Sequence, residues 1–548
     1  MILRRSLRAA WLGAAVGASL LAAGCGRKAG TAAGGKGGGG EQVLRMGNGA
    51  EPQDLDPQAV EGIPELNIIQ ALFDSLVEPD PHDLHPVPGL AETWEVSPDG
   101  LVYTFHLRPN LRWSNGDPLT SDDFIQSYKR ILTPSLGSDY ANYFYNYVQG
   151  AKDYYEGKVA DFSRVGVRAP DPRTLVITLS HPTPFLLEMI ACHFVWDPLP
   201  IKVVAKFGPL GHKGSAWTRA GNLVASGPFM LKEWIPNKRV VVVRNPNYWD
   251  AGRVKLDRIE FYPTDDLGVE EHMFRTGQID RTYDFDRSKV EFYRQHHPDE
   301  LKLEPWLGSY YYVFNVHRAP FTDVRVRRAL SLAIDREQIV KAIMRGGETP
   351  AYSVDPPNDS GYTAQAQLQG DLAEARRLLA EAGYPGGRGF PPIHLLYNQN
   401  QGYHRSVAEA IQAMWRKNLG IELTLSNQEW KVYLDSLNGH NFQLGRAGWI
   451  ADYPDPDVFL EIFETGNVNN DGEWSNPEYD RLLHQAMNAR TQAERYAIYQ
   501  RMDRILVDQC PVMPIFYYTK VYALRPTVKG WWPTLLDEHP YKYVYLQH

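Results

Sequence analysis

The chain has 548 residues, of which 43% are hydrophobic, 12% aromatic and 22% charged, and its formal net charge is −8. This composition is that of a globular protein long enough for about three to four domains. The acidic balance argues against binding to nucleic acid or to anionic lipid head groups. The aromatic excess suits a cleft that grips a ligand, although a large aromatic core explains it equally well.

The first 24 residues have the pattern of an export signal. Arg4, Arg5 and Arg8 form a basic start, residues 9–23 are apolar but too few to span a bilayer as a finished helix, and small residues precede Cys25. Because Gly24-Cys25 resembles a bacterial lipobox, we predict that residues 1–24 are removed and that Cys25 carries a lipid anchor. Removal takes away three arginines and no acids, so the net charge goes from −8 to −11. Residues 25–41 are rich in glycine and predict a flexible tether.

The segment up to residue 200 alternates strands, turns and helices. Val43 to Met46 predicts an opening strand, and a helical stripe of apolar residues follows from Ile68 to Leu76. Leu101 to Leu107 alternates like a half-buried strand, Thr120-Ser-Asp-Asp123 predicts a helix cap, and Thr174 to Leu179 predicts another strand. Residues 76–200 therefore suggest a small α+β unit of their own.

The second half predicts a covered α/β sheet. Strands are expected at Val240 to Val243, Ile259 to Tyr262 and Tyr310 to Phe314, and Pro320 to Arg336 leads into helices whose arginines we assign to a solvated face. A helix is expected from Asp371 to Ala382. The strand Ile393 to Tyr397, a helix and the strand Ile421 to Leu425 then form a strand-helix-strand unit. Cys192 and Cys510 are far apart in sequence, and we favour two lone buried thiols over a disulfide.

The stretch from Arg446 to Phe459 is the strongest candidate for a binding site. Asp452 lies between Trp449 and Tyr453, and Pro454 then interrupts regular structure. A carboxylate in an apolar wall needs a cation, which could be Arg446 or the ammonium group of a ligand. The alternative is that the acids of this stretch only form turns beside prolines.

The chain resembles the extracytoplasmic solute-binding proteins of peptide ABC transporters from about Val43 to the C-terminus. The matching blocks occur in one order, and the last two indicate the oligopeptide branch: Leu55-Asp-Pro57 with Glu61-Gly-Ile-Pro64, Pro88 to Trp94, Thr104 to Arg108, Trp113 to Gly116, Asn245 to Trp249, Pro320 to Arg336, Asn427 to Trp430 and Arg446 to Tyr453. The resemblance implies a mixed α/β fold with two lobes and an extra small α+β domain. It implies lobe I at 42–75, 201–307 and 522–548, the extra domain at 76–200, and lobe II at 308–521.

The resemblance also implies a function and a set of contacts. The expected function is capture of short peptides for the permease subunits of an ABC transporter, by an extracytoplasmic monomer without catalysis, cofactor or metal. Asp452 is expected to bind the α-ammonium group, Tyr140 to help hold that end, and main-chain groups around Gly448 and Ile450 to pair with the peptide backbone. The other implied contacts are Trp430, Trp449, Arg446, Glu61, Ile63, His404 and Tyr311.

The chain departs from the family pattern at three positions, which keeps a second solute class open. Val313 replaces an acid, and Met344 and Leu437 stand where relatives have basic residues that help neutralise peptide carboxylates. The alternative ligands are a cell-wall peptide derivative, an oligosaccharide or a metal chelate. A secreted hydrolase is a third hypothesis, but the sequence has neither a His-Glu-x-x-His zinc motif nor a Gly-x-Ser-x-Gly elbow outside low-complexity sequence.

Overall fold

A computed structural model describes residues 40–357, 359–398, 402–489 and 491–547. The predictions for the export signal, for the tether up to residue 39 and for lipidation of Cys25 concern residues outside these ranges. The described part is a mixed α/β protein, as predicted.

The strands, in chain order, are β1 Val43–Gly47, β2 Val77–Pro79, β3 Pro86–Pro88, β4 Ala91–Val96, β5 Val102–Leu107, β6 Val167–Asp171, β7 Thr174–Thr178, β8 Phe229–Ile235, β9 Arg239–Arg244, β10 Arg258–Tyr262, β11 Leu301–Phe314, β12 Thr349–Pro350, β13 Ile393–Asn398, β14 Leu423–Gln428, β15 Leu444–Ile450, β16 Val512–Ala523, β17 Val528–Lys529 and β18 Tyr545–Leu546. The α-helices are α1 Ile63–Leu72, α2 Ser121–Ile131, α3 Asn142–Tyr145, α4 Ala151–Tyr155, α5 Leu186–Cys192, α6 Ile201–Val204, α7 Leu267–Arg275, α8 Val290–His296, α9 Val324–Leu332, α10 Arg336–Ile339, α11 Leu372–Glu381, α12 Gly402–Leu419, α13 Trp430–Asn438, α14 Asp457–Leu460, α15 Pro477–Met487 and α16 Gln492–Gln509.

Three sheets organise the fold. One has the order β1-β10-β9-β8, and β1 runs parallel to β10. The second is the antiparallel sheet β4-β5-β7-β6, whose core includes buried side chains from α2 and α5. The third is the mixed sheet β12-β16-β11-β15-β13-β14, which carries the segment from Arg446 to Ile450 on β15.

The long strands β11 and β16 connect the first sheet to the six-stranded sheet. One end of their antiparallel pair lies beside the first sheet, where Leu524 bridges to Arg281 and Arg281 to Met46. The other end forms the middle of the six-stranded sheet. The ladder between β11 and β16 shifts register between Pro305 and Ser309, so the regular pairing is interrupted between its two ends.

Several local predictions are confirmed, and two of them need new boundaries. The Asp123 carboxylate accepts the Thr120 N–H at 2.8 Å, as the capping pattern predicts. Strands β13 and β14 are parallel and are joined through α12, as expected of a strand-helix-strand unit. The first helix, however, ends at Leu72, so Phe73 and Leu76 lie beyond it, and β11 begins at Leu301 rather than near Tyr310.

The prediction that the arginines of the Pro320 to Arg336 segment face solvent is wrong for two of them. Arg327 and Arg336 are buried, and their guanidinium groups donate to main-chain carbonyls, including those of Gln509 and Pro514. The apolar spacing of the helix does not reveal this role, because the carbonyls that accept these bonds come from a segment some 180 positions further along the chain. Cys192 and Cys510 are both buried free thiols, as favoured from the sequence.

Candidate functional site

A cavity of about 250 Å³, here called the large cavity, lies between residues of the two lobes. Its walls bring together segments that are far apart in sequence. The lining includes ten of the eleven predicted contact residues: Glu61, Ile63, Tyr140, His404, Trp430, Arg446, Gly448, Trp449, Ile450 and Asp452. A cavity of this size holds far more than one water molecule, so it has room for a solute of several residues.

One edge of β15 is free to accept another strand. The Ala451 N–H donates to the Leu307 carbonyl at 2.8 Å, and β15 continues in register with β11 along its length. Because hydrogen-bonding direction alternates along an antiparallel strand, the amide and carbonyl groups of Gly448 and Ile450 point to the opposite edge. On that edge β13 pairs only as far as Gly445, and no other described strand continues the pairing. The main chain at Gly448 and Ile450 is therefore available to a ligand.

Asp452 follows this edge directly, and no Lys or Arg of the described part of the chain pairs with its carboxyl group. Its side chain is only 18% exposed. Oδ2 accepts the Tyr143 hydroxyl at 2.5 Å, and Oδ1 lies 3.7 Å from Nε2 of His193. Burial raises the pKa of Asp452 to about 7, while the bond from Tyr143 acts in the opposite direction. Burial also lowers the pKa of His193 to about 3, so His193 is neutral and does not supply the missing charge.

The neighbouring acids have structural roles that set Asp452 apart. Asp455 is buried and accepts two bonds of 2.8 Å from Arg495, and it also caps the Asp457 N–H at 3.0 Å. Asp457 accepts the hydroxyl groups of Tyr147 and Tyr499 at 2.8 Å each. The turn-forming alternative thus fits Asp455, whereas Asp452 is the acid of this stretch that faces the large cavity.

Arg446 is not the partner of Asp452. Its guanidinium group donates to the Tyr518 hydroxyl at 2.6 Å and reaches Oδ1 of Asn398 at 3.4 Å, and it lies over the ring of Tyr310. No described carboxylate lies within ion-pair distance of it, and its Nε has no hydrogen-bond partner among the described residues. Arg446 is therefore a cation in the cavity wall that can receive an anionic group.

His404 begins α12 close to Arg446 and is buried. Its Nδ1 has no hydrogen-bond partner in the described part of the chain, and its ring lies 5.5 Å from that of Tyr310. Burial, followed by the charge of Arg446, holds the pKa of His404 well below its usual range. His404 is therefore a neutral imidazole available for hydrogen bonding, and it is not a surface residue.

Of the predicted aromatic contacts discussed next, Tyr140 and Trp449 line the large cavity, whereas Tyr311 does not. Tyr140 lines the large cavity and packs edge-to-face on His193, with ring centroids 4.4 Å apart, while Tyr143 rather than Tyr140 donates to Asp452. Trp449 lines the cavity and its buried Nε1 has no partner among the described residues. Tyr311 does not line the large cavity: it is buried in the core, on the opposite face of β11 from Tyr310.

The other predicted contact residues line the large cavity, whereas the three positions that depart from the family pattern do not. Glu61 and Ile63 lie at the start of α1 and line the large cavity, and Glu61 is exposed. Trp430 lines it from the first turn of α13, stacked on Tyr433 at 5.7 Å. The three departures from the family pattern are all buried side chains in hydrophobic clusters, outside the cavity lining: Val313, Met344 and Leu437.

Several lining residues were not anticipated from sequence. Tyr143 lies three positions after Tyr140, a helical spacing that could have indicated it. His193 and Glu538 had no such signal, because they reach the cavity from the end of α5 and from the C-terminal segment. Outside the cavity, the described residues contain one group with metal-ligand spacing, which lies in the loop between β2 and β3: Asp80, Asp83 and His85. Two of its members are exposed, and nothing else at that loop indicates a metal.

Comparison with known proteins agrees with this architecture. The model for the bacterial extracellular solute-binding proteins, family 5, matches residues 85–471. The periplasmic oligopeptide-binding protein OppA of Salmonella typhimurium is 36% identical over 508 residues, with 90% of each chain covered. The crystal structure of Haemophilus influenzae OppA in complex with the peptide RPPGFSPFR superposes with a TM-score of 0.86 at 33% identity, covering 92% of this chain and 99% of that one.

The fold and the interlobe cavity define a two-lobed solute-binding protein. The matches are more specific: the chain belongs to family 5 of the bacterial extracellular solute-binding proteins. It is therefore an extracytoplasmic binding protein and not an enzyme. Among the described residues, none of the helices combines the length and apolar character needed to cross a membrane.

The lobes adopt the arrangement of a complex rather than of an open form. The murein tripeptide-binding protein MppA in its unliganded open form superposes with a TM-score of only 0.68 at 34% identity, covering 93% of this chain and 98% of that one. Because the peptide complex of similar identity gives 0.86, the difference reflects conformation rather than sequence distance. The contact between Tyr143 and Asp452 belongs to this closed arrangement.

Proposed function

We propose that this protein captures short peptides in the large cavity and delivers them to the permease of an ABC transporter. Asp452 is the observation that carries the proposal: it is a mostly buried carboxyl group at the cavity wall, no Lys or Arg among the described residues pairs with it, and it follows a free strand edge. A peptide supplies what these features need, namely an ammonium group and a backbone that pairs with Gly448 and Ile450.

Arg446 provides the complementary charge for the carboxylate end of the peptide. Six positions separate Arg446 from Asp452, so their Cα atoms are at most about 20 Å apart along an extended chain. An extended ligand of roughly two to five residues fits between two charges at such a distance, at about 3.3 Å per residue. Recognition through the two ends and the backbone uses groups common to all peptides, so selectivity for side chains must come from the walls of the cavity.

Calorimetry with free and N-acetylated di- to hexapeptides tests the proposal. We expect free peptides to bind in the micromolar range, about −8 kcal/mol, and N-acetylated peptides to bind at least tenfold more weakly. Equal affinities would remove the role of Asp452. Native mass spectrometry of the purified protein tests the alternative solute class: a single co-purified non-peptide molecule would favour that class, and a heterogeneous set of peptides would support the proposal.

Peptide affinity should increase between pH 6 and pH 8. The ammonium group binds the ionised form of Asp452, whose pKa is raised to about 7 in the closed protein, so binding must displace a proton below that pH. We expect up to roughly a tenfold loss of affinity per pH unit below pH 7. Calorimetry in two buffers of different ionisation enthalpy should detect proton release at pH 6.5. The Asp452→Asn variant should show less pH dependence, and an unchanged pH profile in that variant would contradict the assignment.

Gly448→Ala should weaken peptide binding by closing the space at the strand edge. A Cβ atom at Gly448 would lie 2.5 Å from the Tyr518 hydroxyl and 3.1 Å from the Ser309 carbonyl oxygen. Tyr518 would have to move, and with it the acceptor that holds Arg446. We expect a loss of about 1–3 kcal/mol in binding, as for other overpacked sites. Gly252→Ala is the matched control, because a Cβ there has no described atom within 4 Å, and calorimetry should find its affinity unchanged.

We further propose that the mature protein is held at the membrane by a lipid on Cys25. The support is the lipobox-like sequence from Leu21 to Cys25 and the glycine-rich tether that follows it. Cys25→Ser should therefore convert a membrane-associated protein into one recovered in the soluble extracytoplasmic fraction. Intact-mass measurement should find a lipid adduct on the wild-type protein alone, and a membrane-bound Cys25→Ser protein would argue against this anchor.

A further inference from the structure

The charged groups that line the large cavity are strongly unbalanced. Six of its side chains are carboxyl groups: Glu61, Asp265, Glu270, Asp284, Asp452 and Glu538. Arg446 is the single Lys or Arg side chain in this described lining, and the two lining histidines have pKa values lowered by burial. One peptide ammonium and one peptide carboxylate would leave this imbalance unchanged, because they bring no net charge.

Some of these acids are satisfied within the protein. Asp284 pairs with Arg287 at 3.0 Å, and Glu270 accepts the Tyr283 N–H at 2.9 Å. Glu61 and Asp265 are exposed, so solvent can stabilise their charges. Glu538 and Asp452 differ from these four acids. The proposed function assigns Asp452 to the α-ammonium group.

Glu538 is a carboxyl group buried at the wall of the large cavity. Its residue is only 6% exposed, and no described residue makes a hydrogen bond or an ion pair with its carboxylate. A carboxylate in such a position is costly unless a cation or a set of donors meets it. The adjacent Asp537 pairs with Arg281 and Lys520 and contacts His539, so these two cations are not free to serve Glu538.

Glu538 lies at the Asp452 end of the large cavity. His193, whose Nε2 is 3.7 Å from Asp452, also lines a smaller cavity of about 90 Å³, here called the small cavity. Glu538, His193, Cys192, Leu66 and Phe194 belong to the walls of both cavities. Asp452 and Glu538 both line the large cavity, and after burial the charge of Asp452 has the largest effect on the pKa of Glu538, so the two carboxyl groups are neighbours.

The small cavity adds to the negative character of this end. Asp197 lines it, is 6% exposed and has no described ion-pair partner. Glu78 also lines it and pairs with Lys542, the single Lys or Arg side chain in the described lining. Nε2 of His193 and Oγ of Ser75 are buried in the same wall without a described hydrogen-bond partner. The wall is therefore polar and rich in carboxyl groups, and burial raises the pKa of both Asp197 and Glu538 well above its ordinary range.

We infer that this protein selects peptides whose N-terminal residue carries a cationic side chain, an ammonium or a guanidinium group, which Glu538 receives while Asp452 holds the α-ammonium group. This inference rests on the proposed function, because it needs the N-terminus at Asp452. Such a residue presents two cationic groups, one side chain apart, to two carboxyl groups of the same cavity wall, Asp452 and Glu538. An anionic N-terminal side chain would instead meet Glu538 and Asp197.

Competition calorimetry with Lys-Ala-Ala, norleucine-Ala-Ala and Glu-Ala-Ala tests the inference on the wild-type protein. Norleucine keeps the unbranched carbon chain of lysine and removes the charge. We expect Lys-Ala-Ala to bind at least tenfold more tightly than norleucine-Ala-Ala, and Glu-Ala-Ala to bind most weakly. Equal affinities for the lysine and norleucine peptides would overturn the inference, whereas failure of all three peptides to bind would instead contradict the proposed function.

The Glu538→Gln variant tests whether Glu538 causes the preference for an N-terminal lysine. It should reduce the preference for lysine over norleucine to less than threefold, because the affinity for Lys-Ala-Ala should fall towards that for norleucine-Ala-Ala. Glu92→Gln, an exposed acid on β4, is the control and should keep the full preference. A preference that survives in Glu538→Gln would overturn the role of Glu538. Because the comparison of the three peptides uses the unaltered protein, a poorly folded variant would not prevent the decision.

Discussion

Asp452→Asn should abolish most of the peptide affinity while leaving the protein stable. The substitution removes the charge that meets the α-ammonium group, and charge-assisted hydrogen bonds contribute about 1.5–3 kcal/mol each. We expect a loss of about 2–4 kcal/mol, roughly 30- to 1000-fold in Kd measured by calorimetry. Stability should not fall, because no described Lys or Arg pairs with the Asp452 carboxylate and an Asn side chain can still accept the Tyr143 hydroxyl.

The N-acetylated peptide is the internal control for this variant. Acetylation removes the ammonium group, so Asp452→Asn should cause no further loss with that ligand, and the two changes should be strongly non-additive. Chemical denaturation should give the variant a free energy of unfolding equal to or above that of the wild type. A change of less than threefold in affinity for the free peptide would contradict the proposed contact.

Asp537→Asn should cause a large loss of stability. The Asp537 carboxylate is buried, accepts a hydrogen bond from Arg281 at 3.1 Å, forms an ion pair with Lys520 at 2.8 Å and lies 2.9 Å from Nε2 of His539. Removing its charge leaves two buried cations without an anion, and we expect the free energy of unfolding to fall by about 3–5 kcal/mol. Asparagine tolerates the positive φ of 55° at this position, so the loss should be electrostatic rather than conformational.

Asp508→Asn is the matched control for that measurement. Asp508 pairs with Arg328 at 3.3 Å, but its side chain is 53% exposed, so the expected loss is about 0–1 kcal/mol in chemical denaturation. Folding lowers the pKa of Asp537, chiefly through Lys520 and Arg281 acting against burial. The stabilisation is therefore present above pH 4 or so, near the ordinary pKa of an aspartate, and is lost on further acidification. Equal losses in the two variants would argue against this charge cluster.

Asp537 also connects stability with the binding site. It holds the C-terminal segment against Lys520 on β16 and Arg281 beside the first sheet, and the next residue, Glu538, lines the large cavity. The cluster thus fixes the segment that presents Glu538. Variants of Asp537 are consequently expected to weaken peptide selection as well as folding.

The features that could be predicted from the sequence are those that depend on residues close together in the chain. The spacing of Trp449, Asp452 and Pro454 drew attention to one short segment, and the resemblance assigned it to a ligand-binding strand. Alternating apolar residues predicted β5, and the capping pattern predicted the start of α2, because both signals are local. Ten of the eleven predicted contacts consequently lie in one cavity.

The features that could not be predicted depend on contacts between segments that are far apart in the sequence. Tyr140 and Tyr143 are equivalent aromatic residues in the sequence, and only the packing of α3 against the segment after β15 distinguishes the hydroxyl that reaches Asp452. Tyr311 lies in a run of three tyrosines, and the choice of the face that becomes core depends on the register of β11. The burial of Arg336 follows from main-chain carbonyls near β16, which no helical pattern contains.

The crystal structure of the protein in complex with a tri- or tetrapeptide is the most direct test. We predict that the peptide nitrogen lies about 2.7–3.2 Å from a carboxylate oxygen of Asp452 and that the peptide backbone pairs with Gly448 and Ile450 as an added strand. A peptide whose amino end lies elsewhere, with Asp452 bonded only to protein groups, would contradict the account.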